Sequence, residues 1–69
     1  MKYVIYTTNT TDPKVGELTN TLNEKGFEFI IEKDTERVEQ MGFDINEPVL
    51  EVINDKYYSF NDAIEKLNK

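Results

Sequence analysis

The sequence predicts one α/β domain over residues 1–69, built in the order βαβαββα. Short runs of β-branched and aromatic residues, the composition of strands, occur at residues 3–6, 27–32 and 48–53. Apolar residues return at helical spacing at Val15, Leu18 and Leu22 and again at Phe60, Ala63, Ile64 and Leu67. Gly26, Gly42 and the Asn54-Asp55 pair punctuate these runs where the chain has to turn.

Tyr3-Val4-Ile5-Tyr6 is strand one, and it leaves the sheet through the polar loop 7–11. Asp12 suits an N-cap, because its carboxylate can accept from the free N–H groups of the first turn. Pro13 then fits the first helical position, where its missing N–H costs nothing. Helix one runs to about Lys25 and stops at Gly26. Phe27-Glu28-Phe29-Ile30-Ile31-Glu32 alternates and then turns continuously apolar, which predicts a second strand lying against helices. Asp34 or Thr35 caps a short helix over 36–41, with Val38 and Met41 as its inward positions and Gly42 as its stop. With so few inward residues, it should be the least stable element. Pro48-Val49-Leu50-Glu51-Val52-Ile53, the turn Asn54-Asp55 and Lys56-Tyr57-Tyr58 form an antiparallel hairpin, strands three and four. Adjacent strand residues alternate in direction, so Tyr57 and Tyr58 face opposite sides of the sheet. Ser59-Phe60-Asn61-Asp62 matches the Ser-x-x-acid capping pattern and starts the last helix.

A chain of 69 residues buries only about 60 % of the surface its unfolded form exposes, so the core is small and stability modest. It has no cysteine or histidine, hence no disulfide and no ordinary zinc site, and apolar packing has to hold it together. Fourteen acidic against eight basic residues give a net charge of −6. That charge repels phosphate backbones and anionic lipid over a Debye length of roughly 10 Å, which excludes nucleic acid and membrane surfaces as natural partners. No apolar run approaches the ~20 residues of a membrane span. A cytoplasmic monomer without cofactor is the expectation.

Asp12-Pro13-Lys14-Val15 opens helix one where a small thiol-redox protein carries Cys-Pro-x-Cys, and Met41-Gly42-Phe43 precedes Pro48. On these residues the chain resembles the glutaredoxin branch of the thioredoxin-like fold over nearly its whole length. In that family a Tyr-Thr strand end precedes the motif, as Tyr6-Thr7 does here, and apolar residues follow at the spacing of Leu18 and Leu22. The tail, Val49-Leu50-Glu51-Val52 through Tyr58-Ser59-Phe60-Asn61-Asp62-Ala63, resembles small bacterial and phage glutaredoxins. The resemblance implies a four-stranded mixed sheet of order 2-1-3-4, with strand four antiparallel at one edge and helices one and three on one face. It also implies a right-handed crossover between strands one and two; the family's proline at this place follows a cis peptide, and for Pro48 both isomers stay open. The sequence departs from the family in the loops before Asp12 and before Pro48, each one residue longer, and in Tyr58-Ser59, which replaces a Gly-Gly turn.

Thiol–disulfide exchange needs a thiolate to attack and a sulfur to be attacked. This chain has neither, so the family's chemistry is closed to it. Asp12 retains a negative charge at the helix N-terminus, a favourable placement of about 1 kcal/mol, without the reactivity. Its first role is therefore that of a cap, and Val15 on the inward face is core. With a cis Pro48, Glu47 would lie opposite the start of helix one, near Asp12 and Lys14. Two carboxylates and an ammonium could then do acid–base work or hold a hard cation with waters, although in a chain 32 % charged such neighbours are commonly plain solvated charges.

Three functions follow. The first is a redox-inactive binding or accessory module, of phage or mobile-element type by its resemblance. Another protein would meet its surface at Asp12, Pro13, Lys14, Val15, Glu47, Pro48 and Val49. The second is non-catalytic binding of glutathione or a related anionic peptide along the strand begun by Pro48. The third is an enzyme built on Asp12 and Glu47.

Overall fold

The computed structural model describes residues 2–53 and 56–68. Its elements are β1 (Lys2–Tyr6), α1 (Pro13–Glu24), β2 (Glu28–Glu32), α2 (Glu36–Gln40), β3 (Val49–Val52), β4 (Tyr57–Tyr58) and α3 (Phe60–Leu67). The order is the one the sequence predicts. The turn expected at Asn54-Asp55 lies outside the described residues, and the Val52 N–H donates to the Lys56 carbonyl across it at 3.0 Å.

The four strands form one sheet in the order β2-β1-β3-β4. β1 runs parallel to β2 and antiparallel to β3, and β3 pairs antiparallel with β4, so the sheet is mixed. Register divides the side chains cleanly between two faces. Tyr3, Ile5, Leu50 and Val52 meet Leu18 and Leu22 of α1 and Phe60, Ala63 and Leu67 of α3 in the larger core. Val4, Tyr6 and Val49 turn the other way and pack with Val38 of α2, flanked by Phe43, Ile45 and Tyr57. Tyr58 borders the first core and Tyr57 the second, as strand alternation requires. Burying each leucine of the larger core contributes roughly 1.5–3 kcal/mol.

Two glycines end helices at positive φ, Gly26 at 73° and Gly42 at 97°. Each sits in a paired-bond turn. Phe27 donates to Leu22 O and Gly26 to Asn23 O; Phe43 donates to Val38 O and Gly42 to Glu39 O.

Three expectations need correction. Met41 is not an inward residue: it is 49 % exposed and follows the end of α2. The turn at Gly42 brings Phe43 back against Val38 and its neighbours, so Phe43 takes the place expected of Met41. β2 lies against a helix on one face only: α1 packs on it, with Phe29 against the larger core, whereas α2 packs on Val4, Tyr6 and Val49 and leaves the other face of β2 open. Ile30, on the α2 side, is consequently 62 % exposed, and Ile31, on the α1 side at the sheet edge, is 40 % exposed. Ser59 occupies the N-cap position of α3 without a side-chain capping bond, and its carbonyl accepts from the Ala63 N–H at 2.8 Å. Of the two isomers open before Pro48 the trans one is found, since no cis peptide bond occurs among the described residues. Among the described residues, no helix is long and apolar enough to cross a membrane.

Candidate functional site

The tip of α1 is built from two loops, each folded by its own short side chains. In the first, Thr7 extends the ladder by donating its N–H to Glu32 O, and its hydroxyl accepts from the Asn9 N–H. The Asn9 side-chain oxygen accepts from both the N–H and the hydroxyl of Thr11, and the Asp12 N–H returns to Asn9 O. These bonds deliver Asp12 to the helix start in extended backbone, φ −61° and ψ 129°. There Asp12 Oδ1 accepts from the Lys14 N–H at 2.9 Å, and its carbonyl accepts from Val15 at 2.9 Å and Gly16 at 3.3 Å. Asp12 is a working N-cap.

In the second loop, Asp44 organises the approach to β3. Its carboxylate accepts from the Asn46 N–H at 2.9 Å and its carbonyl from the Glu47 N–H at 3.3 Å. Glu47 is thereby aimed at α1, where its carboxylate forms an ion pair with the Lys14 ammonium across 33 residues of sequence. The approach of Glu47 to the start of α1, which the sequence made conditional on a cis Pro48, thus occurs with a trans bond, and it is made to Lys14.

Lys14 is the hub of this surface. Its hydrogen bond to Glu47 pushes its pKa upward, opposed by partial desolvation and assisted by the charges of Glu47, Asp12 and Asp44. Its ammonium also sits 5.5 Å from the centre of the Phe60 ring, a cation–π distance that ties the tip to α3. The remaining residues of the predicted surface divide in two. Pro13 is exposed, whereas Val15, Pro48 and Val49 are buried and present no side chain to a partner.

Asp12 is bonded to backbone, Glu47 is paired with Lys14, and among the described residues no group of three or more metal-ligating side chains occurs. What the tip offers is a braced, charged surface.

Sequence reasoning missed a polar group on the α2 side of the sheet. The Tyr6 hydroxyl donates to Glu51 Oε1 at 2.7 Å, and the Tyr57 ring lies 6.1 Å from that of Tyr6 and 6.4 Å from that of Phe43. Burial, then the Glu51 carboxylate and then Tyr57 push the Tyr6 hydroxyl far above its ordinary pKa. The Tyr57 hydroxyl is closed off from solvent and has no hydrogen-bond partner among the described residues. The signal was Glu51 itself, one acid inside the run Val49-Leu50-Glu51-Val52. A charge in such a run either faces water or has a partner.

No protein-family model matches the chain, and no curated protein and no solved structure matches it.

Proposed function

We propose that this chain is a redox-inactive, glutaredoxin-like member of the thioredoxin-like fold that acts as a small protein-binding module, an accessory protein of phage or mobile-element type. The observation that carries the reading is the tip of α1, where Asp12 caps the helix and Val15, one turn on, is only 2 % exposed. In a thiol-redox protein those two positions hold the attacking and resolving sulfurs; here they hold a cap and a core residue. The strand order β2-β1-β3-β4 supports the same reading.

Binding follows from what the tip keeps. Asp12, Lys14, Asp44 and Glu47 form a fixed constellation of charge, held by two ordered loops and the Phe60 ring. Charges of this kind set orientation and specificity in protein contacts more than raw affinity. Reversing the central charge with Lys14→Glu should therefore weaken capture of a specific protein from cell extract while leaving the fold intact. Identical captured proteins from wild type and variant, or none above background from either, would overturn the reading.

A further inference from the structure

We propose that the outer edge of β2 takes up an extended segment of another protein as an additional strand, a segment apolar at its centre with a lysine or arginine at each end. This surface is separate from the tip of α1.

β2 ends the sheet, with β1 on one side and, among the described residues, no strand on the other. The outward N–H and C=O groups of such a strand form a template for pairing. Its middle is unprotected: Phe29-Ile30-Ile31 is uncharged, with Ile30 62 % and Ile31 40 % exposed. At the Glu28 end of the strand a groove of about 610 Å³, lined in part by Tyr3, Phe27, Phe29, Ile30 and Ile53 together with Lys2 and Glu28, gives an apolar side chain somewhere to go. The Tyr3 and Phe27 rings stack at 5.3 Å along its wall.

Charge selects the occupant. β2 begins at Glu28 and ends at Glu32, both exposed, and alternation puts them on the same face as Ile30, with Phe29 and Ile31 on the other; Glu28 has Lys2 as its β1 partner on the inner side and Glu32 accepts from the Asp34 N–H, and each keeps its carboxylate at the rim of the sheet. A strand laid alongside therefore meets acid, three apolar residues, acid. Its complement is basic, three apolar residues, basic, a pattern that reads the same in both directions. A second copy of this chain is the wrong occupant. Antiparallel self-pairing centred on Ile30 sets Glu28 against Glu32 at both ends, and in-register parallel pairing sets each glutamate against itself. Like charges directly opposite are destabilising in a sheet, and each copy brings a net charge of −6. Strand addition of this kind takes affinity from main-chain hydrogen bonds and specificity from alternate side chains.

The test is an NMR titration of the isotope-labelled protein with the end-blocked peptide Thr-Lys-Val-Ile-Val-Lys-Thr. Saturable amide shifts and slowed amide exchange should map to residues 28–32. The counterpart with glutamate in place of both lysines should bind about tenfold more weakly, because two exposed ion pairs give way to two like-charge pairings. The E28K/E32K protein should reverse that preference. Ile30→Lys, at an exposed site, should leave the rest of the spectrum in place and abolish binding. Equal affinity for the two peptides, or shifts that avoid β2, would overturn the proposal. So would self-association of the wild type relieved by Ile30→Lys, because it would put a second copy on this edge.

Discussion

The tip of α1 and the outer edge of β2 both face solvent and both carry acids bonded to backbone, Asp12 to the Lys14 N–H and Glu32 to the Asp34 N–H, yet they differ in where their apolar residues lie. At the tip each acid has a structural partner: Asp12 the Lys14 N–H, Glu47 the Lys14 ammonium, Asp44 the Asn46 N–H. Beneath them Val15, Pro48 and Val49 are buried. At the edge the apolar centre of the strand is exposed, and among the described residues no strand lies beside the outer side of the ladder. Residues that look like chemistry can thus be fully engaged in holding the fold, while an ordinary apolar run carries the free surface.

The largest difference should appear on truncation. Val49→Ala, at a site 1 % exposed, should cost roughly 2 kcal/mol, whereas Ile30→Ala should stay within about 0.5 kcal/mol. Urea unfolding of the two variants measures both. Comparable losses would erase the contrast between braced tip and open edge.

Alkali should probe the sheet face beneath the tip. The Tyr6 hydroxyl has a folded pKa raised above its unfolded value, so it contributes its full stability below about pH 10, where both states are protonated. Above that, the unfolded chain loses the proton first, and stability falls as pH rises toward the folded pKa. Unfolding midpoints measured across this range should drop, and Tyr6→Phe should flatten the drop. An equal slope in the variant would show that burial and Glu51 do not hold the Tyr6 proton.

Asp12→Ala should cost about 1 kcal/mol, the loss of an N-cap, and Asp12→Asn should recover most of it because asparagine caps equally well. If only a charged residue suffices, the tip is doing more than capping. Tyr57→Phe removes a hydroxyl closed off from solvent that makes no well-formed hydrogen bond among the described residues, and it should leave stability unchanged or slightly raised in the same urea assay. The smallest effect belongs to Glu47→Gln. The Lys14–Glu47 pair is a partly exposed surface bridge, so the midpoint should barely move and added salt should remove the remainder.

Much of the fold was legible because its signals are local. Gly26 and Gly42 mark helix ends by the left-handed backbone each supplies, and Asp12-Pro13 marks a helix start by its capping oxygen and fixed φ. The stripe Phe60, Ala63, Ile64, Leu67 needs no neighbour to be recognised. What periodicity could not supply is position within the sheet. Ile30 and Ile31 look alike in a central or an edge strand, and their exposure is decided by which elements cover them. Met41 failed for a related reason: the spacing was helical, but the turn at Gly42 gave the inward place to Phe43. At the site, Asp12 as a cap and Val15 as core followed from local rules. The approach of Glu47 to Lys14 depended on a loop conformation set by Asp44. The Tyr6–Glu51 bond joins residues 45 apart and required the β1–β3 register, which no local pattern contains.

The proposed function rests this chain's work on protein contacts and not on small-molecule chemistry at the helix tip. Parallel NMR titrations with reduced glutathione and with the lysine-flanked peptide test it most directly. The account predicts no glutathione-induced shifts at Asp12, Lys14 or Val49 and a saturable response to the peptide along β2. Saturable glutathione shifts at the tip with a silent β2 would contradict it.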